Sequence, residues 1–324
     1  MRVSVIMPVY NAAGTVQSSL DSIRNQSFGD FELIMVDDCS TDSTYDILCS
    51  FAAGSGIACK IVRMPENSGV AAARNAGLKN AVGEYVAWVD ADDNIGPDAL
   101  KEAVSLAVES EADIVGWDWT LTSGGKGREM RQVDYDSSLE ALKAMMGGTM
   151  RWNLWLFLTR RTLLVDNGIE FTDGADMGED MAFMLKSFAC ARKVRQIHRP
   201  LYAYSAPGAG SVSREFTDKR IKEVARNVRD AEKFLSNTAY GKDLADYFQY
   251  LKLFVKLPLL ISSDKRQYEL WYGWFPESNS YASANKALPL RTRALQAMAA
   301  KRMWLGVKLY NCLVYKFLYG LIYR

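Results

Sequence analysis

Between Glu84 and Asn94 the chain reads EYVAWVDADDN, and three carboxylates, Asp90, Asp92 and Asp93, fall within four positions at the end of an apolar, β-prone run. Like charges this close repel, so solvent, a cation or basic side chains must compensate them. Hard divalent cations select oxygen ligands, and Mg²⁺ or Mn²⁺ typically takes one or two protein carboxylates together with substrate phosphates. Asp90 and Asp92, separated by one residue, can point to one side of an extended chain. The competing reading is a solvated acidic turn ahead of Pro97, and a D-x-D triplet alone does not choose between the two. A second acidic pair, Glu179 and Asp180 in GED, stands where a helix begins. On its own it reads as first-turn acid that suits the positive end of a helix dipole.

The elements that must position these residues alternate along the first 120 positions. Apolar runs at Val3–Val9, FELIMVDD, KIVRM, EYVAWVD and ADIVGWDW have strand character. Between them lie helical patterns. Thr15 is placed to cap a helix with Val16, Leu20 and Ile23 on one face, and Pro97 opens one whose stripe is Leu100, Ala103, Val104, Ala107 and Val108. Alternation with short links predicts βαβ units on a mostly parallel sheet flanked by helices, an α/β fold. Ligands of such sheets bind beyond the carboxyl ends of the strands. Tyr10 and Asn11 follow the first strand, Asp37 and Asp38 end the second, and Asp90, Asp92 and Asp93 end the fourth, so all should face one crevice. Farther on, TSGGKGRE is a loop or hairpin, Ser137–Met146 and GEDMAFMLKSFACA are helices, and VRQIHRPLYAYS is a strand. From residue 215 the pattern is helical.

Bulk properties exclude several classes. The 324 residues suit one large domain or a domain with an appendage, and a net charge of +1 is far from that of a general nucleic-acid binder. A single His, His198, rules out any site with two His ligands and reads as structural in its strand. Five scattered Cys without a CxxC pair argue against structural zinc and suit a reducing cytosol. No signal peptide or apolar span of about 20 residues is visible, so a cytoplasmic location is expected. The loop PVYNAAGT after the first strand matches neither G-x-G-x-x-G nor a P-loop. A diphosphate would therefore have to be neutralised by the metal and by Arg74.

At this point several motifs fall into order. VSVIMPVYNAAGTVQSSL with FELIMVDDCSTDST, then NSGVAAARNAGLKNAVGEYVAWVDADD, then GED at Gly178–Asp180, together resemble the inverting family 2 glycosyltransferases of the GT-A fold, across residues 2–213. The resemblance implies a GT-A catalytic domain over 1–213, with its nucleotide-binding half at about 1–120 and its acceptor half at about 121–213. The remainder, 214–324, would be a mainly helical extension. It implies that Pro8, Val9 and Tyr10 line a nucleotide pocket. Asp38, with Asp37 beside it, would meet the base, a uracil edge. Arg74 would approach the nucleotide or diphosphate. Asp92 would be the main ligand of Mn²⁺ or Mg²⁺ and Asp90 would contact the ribose or sugar side and join as a ligand. Asp93 would lie near the donor sugar, and Asp180 would be the general base. The donor implied is a nucleotide sugar, a UDP-sugar, and the acceptor a glycan or lipid-linked hydroxyl in bacterial surface polysaccharide synthesis. Competing readings are a sugar-phosphate nucleotidyltransferase, which would want a Gly-rich basic loop after the first strand, and a catalytically silent nucleotide-sugar-binding protein.

Three features stand outside these motifs. Trp152 and Trp155 suit either sugar platforms or core. SAPGAGSVSR is flexible by composition and would close over the site, with Ser211, Ser213 or Arg214 near phosphate. Residues 301–324 mix interfacial aromatics with Lys and Arg, which suits peripheral contact with the inner face of a membrane, or a helix that packs on the protein or forms a homodimer contact.

Overall fold

The computed structural model describes residues 1–205, 217–262 and 264–314. Ser211, Ser213, Arg214 and the tail beyond residue 314 lie outside these residues. The chain divides into two compact units, Met1–Ala141 with Trp152–Ala231, and Leu142–Arg151 with Glu232–Arg324.

The first unit is built on a nine-stranded sheet: β1 (Val3–Val9), β2 (Phe31–Asp37), β3 (Ala58–Arg63), β4 (Tyr85–Trp88), β5 (Asn94–Ile95), β6 (Ile114–Ser123), β7 (Lys126–Met130), β8 (Phe157–Arg160) and β9 (Val194–Ser205). Their order is β3-β2-β1-β4-β8-β6-β9-β5, with β7 paired to β6 alone. β3, β2, β1 and β4 are parallel, as the alternation predicts. Beyond β4 the sheet is mixed, because β8 runs antiparallel to both β4 and β6 while β9 runs parallel to β6. Two reversals restore the original direction. The carboxyl end of β9 therefore reaches the same rim as those of β1, β2 and β4.

Helices α1 (Val16–Arg24), α2 (Thr44–Gly54), α3 (Val70–Asn80), α4 (Ala99–Ser110), α5 (Ser138–Met146), α6 (Arg161–Asp166), α7 (Glu179–Cys190) and α8 (Asp218–Ser236) accompany the strands. β1 and β2 are apolar and buried along nearly their whole length, as expected of strands covered on both faces. α1 buries Val16, Leu20 and Ile23. Thr15 precedes it without capping it, since its Oγ1 donates to Ala12 O at 3.4 Å instead. In α4 the predicted stripe holds through Ala107, but Val108 is exposed. At 100° per residue Val108 lies about 80° from the stripe's centre, at its edge. The loop TSGGKGRE closes a hairpin in which Gly124 and Gly125 both have positive φ, the conformation a two-residue turn between twisted strands requires. Trp88, at the end of β4, meets Phe171 and Phe183 edge-on, and those two rings stack with centroids 4.2 Å apart.

In the second unit, α9 (Ala245–Lys256), α10 (Lys265–Gly273), α11 (Leu290–Ala300) and α12 (Trp304–Asn311) pack on one another. Lys256 is fully buried there, and burial pulls its pKa down to about 7. Its Nζ donates to Trp274 O (2.9 Å), Phe275 O (3.2 Å) and Asn279 Oδ1 (2.6 Å) and lies 4.3 Å from the centre of the Trp271 ring.

Candidate active site

Three loops leave the parallel strands at their carboxyl ends, and side chains brace them to one another. After β1, Asn11 takes a left-handed conformation and its Oδ1 accepts from both Thr41 N (2.8 Å) and Thr41 Oγ1 (3.2 Å) of the loop after β2. In return Ser40 Oγ accepts from Asn11 N at 3.0 Å and Thr44 Oγ1 from Ala12 N at 2.8 Å. Asp38 then ties the second loop to the third: its two oxygens accept from Ser68 N (2.8 Å) and Gly69 N (2.9 Å). Asp37 is fully buried, accepting from Ser40 N and pairing with Arg63 at 3.3 Å. Pro8 and Val9 sit at the end of β1 beneath these loops, whereas Tyr10 turns outward, with 48% of its surface exposed.

Gly69 makes the third loop possible. Its φ of +90° and ψ of 165° belong to a region that residues with a Cβ avoid, and a Cβ there would overlap the Asp176 carboxylate. That carboxylate accepts from Ala71 N at 3.0 Å, in the first turn of α3. Gly69→Ala is expected to destabilise the chain by about 2 kcal/mol or more, from the strained backbone and the displaced Asp176 together. A shift of the urea midpoint measures it, and an unchanged midpoint would contradict the packing described.

The carboxylates meet on Arg74. This residue, only 4% exposed, lies on α3 and donates through Nη1 to Glu179 Oε1 (2.8 Å) and Asp180 Oδ1 (2.6 Å), and through Nη2 to Asp90 Oδ1 (3.3 Å). One guanidinium thus joins the end of β4 to the start of α7. Burial opposes its charge, but Asp180, Asp90 and Glu179 more than compensate and raise its pKa. The second Asp180 oxygen accepts from Leu154 N at 3.3 Å. Glu179 is pushed upward by burial and by Asp180, against the pull of Arg74.

Asp93 is held differently. Its oxygens accept from Ser205 N (2.8 Å) and from the Tyr202 hydroxyl (2.9 Å), and that hydroxyl accepts from Asp90 N at 3.1 Å. The Tyr202 ring stacks on Trp155 at 4.5 Å, and Tyr204 stacks on Trp155 at 5.1 Å, so Trp155 is core, not an open platform. Burial, reinforced by the neighbouring Asp90, lifts Asp93 to about 8. Burial also lifts Asp90 to about 6, with Arg74 pulling it down and Asp180 and Asp92 pushing it up.

Asp92 is exposed and makes no hydrogen bond or ion pair among the described residues. With the Asp90 oxygen that Arg74 leaves free, it offers hard, uncommitted donors beside an excess of negative charge, a donor set that fits Mg²⁺ or Mn²⁺. Among the described residues no group of three or more His, Cys, Asp or Glu is arranged to hold a metal. A cation at Asp92 would therefore complete its shell with substrate oxygens or water.

The model of the family described as "Glycosyl transferase family 2" matches residues 4–175, more than half of the chain. The chain belongs to glycosyl transferase family 2. Among its relatives in this family, poly(ribitol-phosphate) beta-N-acetylglucosaminyltransferase TarS of Staphylococcus aureus is 30% identical over 213 residues, 65% of this chain and 36% of TarS. The putative glycosyltransferase EpsH of Bacillus subtilis is 31% identical over 209 residues, 62% of this chain and 60% of EpsH. The chain thus spans between about a third and three fifths of the length of these relatives. The crystal structure of S. aureus TarS residues 1–349 in complex with UDP-GlcNAc superposes with a TM-score of 0.74 at 22% identity, over 99% of this chain and 92% of that one. A mannosyltransferase from Pyrobaculum calidifontis, in complex with GDP-Man and Mn²⁺, gives 0.56 at 21% identity, over 98% of this chain and 87% of that one. The mixed α/β sheet with its helices is the GT-A fold the motifs of the glycosyl transferase family 2 implied.

Sequence reasoning on the family motifs did not find every residue that shapes this site. Tyr202, Asp176, and Asn227 of α8, which donates to Ala175 O and Met177 O at 2.9 Å, all support it from outside the motifs. Their partners are main-chain atoms or residues far along the chain, which leave no spacing signal. His198 lies between Asp118 (3.2 Å) and Asp134 (2.7 Å), as a structural His should.

Proposed function

We propose that the chain transfers a sugar from a nucleotide diphosphate donor, a UDP-sugar, to a hydroxyl of a glycan or lipid-linked acceptor, with inversion, in the synthesis of a bacterial surface polymer. The observation that carries this reading is the Arg74 guanidinium, which binds Asp90 and Asp180 at once and so holds the metal-side carboxylate and a base candidate together. Asp180 takes the proton of the acceptor hydroxyl, whose oxygen attacks the anomeric carbon from the face opposite the diphosphate. The bond from that carbon to the diphosphate oxygen breaks as the new one forms, and its electron pair leaves with the nucleotide. Asp92 and Asp90 would hold Mg²⁺ or Mn²⁺, which would supply Lewis-acid stabilisation of the leaving diphosphate.

The remaining residues form the donor side. Tyr10 presents an exposed ring on which a base can stack, above Pro8 and Val9. Asp37 and Asp38 hold the loops around it, and each Asp38 oxygen keeps a lone pair for the uracil edge. Asp93 stands near the donor sugar and fixes the strand end through Tyr202. Arg74, with its terminal nitrogens on carboxylates, acts beside the diphosphate by positioning Asp90 and Asp180.

Calorimetric titration of UDP with and without Mn²⁺ tests the reading. Wild type should bind UDP with Mn²⁺ present, and Asp92→Ala should lose about tenfold or more of that affinity, the loss of one metal ligand. Binding that ignores both Mn²⁺ and Asp92 would sink the metal assignment. Absence of binding by UDP, GDP and other nucleotides would sink the donor assignment. Because S. aureus TarS has been crystallised with UDP-GlcNAc, that sugar nucleotide is the first donor to screen.

A further inference from the structure

The end of the described chain carries an unusual surface. α12 is pinned to its own unit by one side: Val307 is fully buried, Trp304 Nε1 donates to Glu269 Oε1 at 2.9 Å, and Asn311 Nδ2 donates to Leu260 O (2.6 Å) and Ser262 O (3.0 Å). Leu305, Leu309 and Leu313, spaced by four residues, are 73%, 55% and 62% exposed, with Lys308 and Cys312 also exposed between them. These positions follow an i, i+3, i+4, i+7, i+8 pattern, one continuous stripe on the side away from the anchoring residues. Met303 adds a fourth exposed apolar side chain at the start. Single exposed leucines are ordinary on a soluble surface, but an aligned row on a firmly held helix is a surface for a partner.

Charge identifies the partner. From Ser278 onward the sequence has eight Lys or Arg and no Asp or Glu, whereas the residues before it hold 31 Lys or Arg against 38 Asp or Glu. An acidic body thus ends in a basic segment, and the leucine row lies within that segment. Lys301 and Lys308 are exposed beside the row, and Arg302 pairs with Glu269. Beyond residue 314 the sequence continues YKFLYGLIYR, again aromatic, aliphatic and basic. Aligned leucines flanked by basic residues match an anionic lipid surface, where apolar side chains enter the acyl boundary and Lys and Arg meet the headgroups. No described helix is long and apolar enough to cross a membrane, which leaves a helix lying along the surface.

We propose that Leu305 and Leu309 on α12, with Leu313 just past its end, dock the protein on an anionic lipid bilayer. This does not depend on the chemistry proposed for the carboxylates.

Co-sedimentation of the full chain with vesicles tests the proposal. Wild type should pellet with vesicles of phosphatidylglycerol and phosphatidylethanolamine, and remain in the supernatant with phosphatidylcholine alone or when salt is raised. The triple variant Leu305→Ser, Leu309→Ser, Leu313→Ser should bind the anionic vesicles about tenfold or more weakly. Because the three side chains are exposed, its melting curve should match wild type, and its UDP titration gives a second check on the fold. Equal vesicle binding by wild type and the triple variant would overturn the proposal, including the case in which removal of residues 315–324 alone abolishes binding. So would a dimeric wild type that becomes monomeric in the triple variant without any vesicle binding, since the occupant would then be a second copy. Binding of soluble anionic polymers that survives the triple substitution, with no binding to vesicles, would assign the basic charge to another partner and overturn it equally.

Discussion

Asp180→Asn should lower turnover by about 10²–10⁴-fold and leave the affinity for UDP within about twofold of wild type, the signature of a lost general base. The substitution preserves size, and its single amide oxygen can keep the 2.6 Å bond from Arg74, while the amide nitrogen takes the place of the oxygen that accepts from Leu154 N at 3.3 Å. It therefore removes the proton-accepting charge together with that longer bond. This separates the two meanings of GED. If Asp180 served only to hold Arg74 and the start of α7, Asn would weaken that ion pair and lower stability but leave turnover nearly intact. Turnover within a few-fold of wild type would then return GED to a structural role and leave the catalytically silent reading standing. UDP release in the presence of a screened acceptor is the measurement, and Glu179→Gln is its control, since Glu179 shares Arg74 without contacting Leu154 N.

The second large effect belongs to Arg74→Ala. Removing one partner from a buried ion cluster leaves charges that neither water nor protein compensates, at a cost of about 3–5 kcal/mol. Here three carboxylates, Asp90, Glu179 and Asp180, lose the same cation. The urea midpoint should fall accordingly, with a sign-specific dependence on pH. The affected carboxyl groups then titrate higher in the folded state than in the unfolded chain, so protonation favours folding and stability rises as pH falls. With Arg74 in place burial already lifts Asp90 to about 6 and Glu179 to about 8, so the deficit should be largest well above 8 and shrink as pH drops through both values. A deficit that stays constant with pH would mean that Arg74 acts through packing, for instance against the Phe171 ring 5.6 Å away. Lys would not substitute well, because a single ammonium cannot reproduce a fork that reaches three carboxylates.

The nucleotide-side strands were legible in the sequence for a simple reason. A strand buried on both faces needs a continuous apolar run, and β1, β2 and β4 supply one that ends abruptly in polar residues. The rule that ligands bind at carboxyl ends then brings Tyr10, Asp38 and Asp90 to one rim without coordinates. Arg74 was found as a residue, but its three partners were not, because they come from β4 and α7 over separations of 16 to 106 residues. The mixed half of the sheet was also hidden. β8 has only four residues, and nothing in FLTR states that it will run antiparallel between β4 and β6. Asp38 was read as a ligand of the base, while its hydrogen bonds to two main-chain N–H groups could be seen only once the loop at Ser68 and Gly69 was folded against it.

Asn227 has a practical consequence for dividing this protein. The motifs end at Asp180 and the family match at residue 175, yet the carbonyls of Ala175 and Met177, directly before the base candidate, are held by a carboxamide some fifty residues later. Lys186 of the same helix is paired with Asp230 of α8. A chain shortened at residue 213 would keep every recognisable motif and lose the clamp that sets the approach to Asp180. The smallest piece able to hold the geometry around Asp180 is therefore longer than the stretch by which its family is recognised.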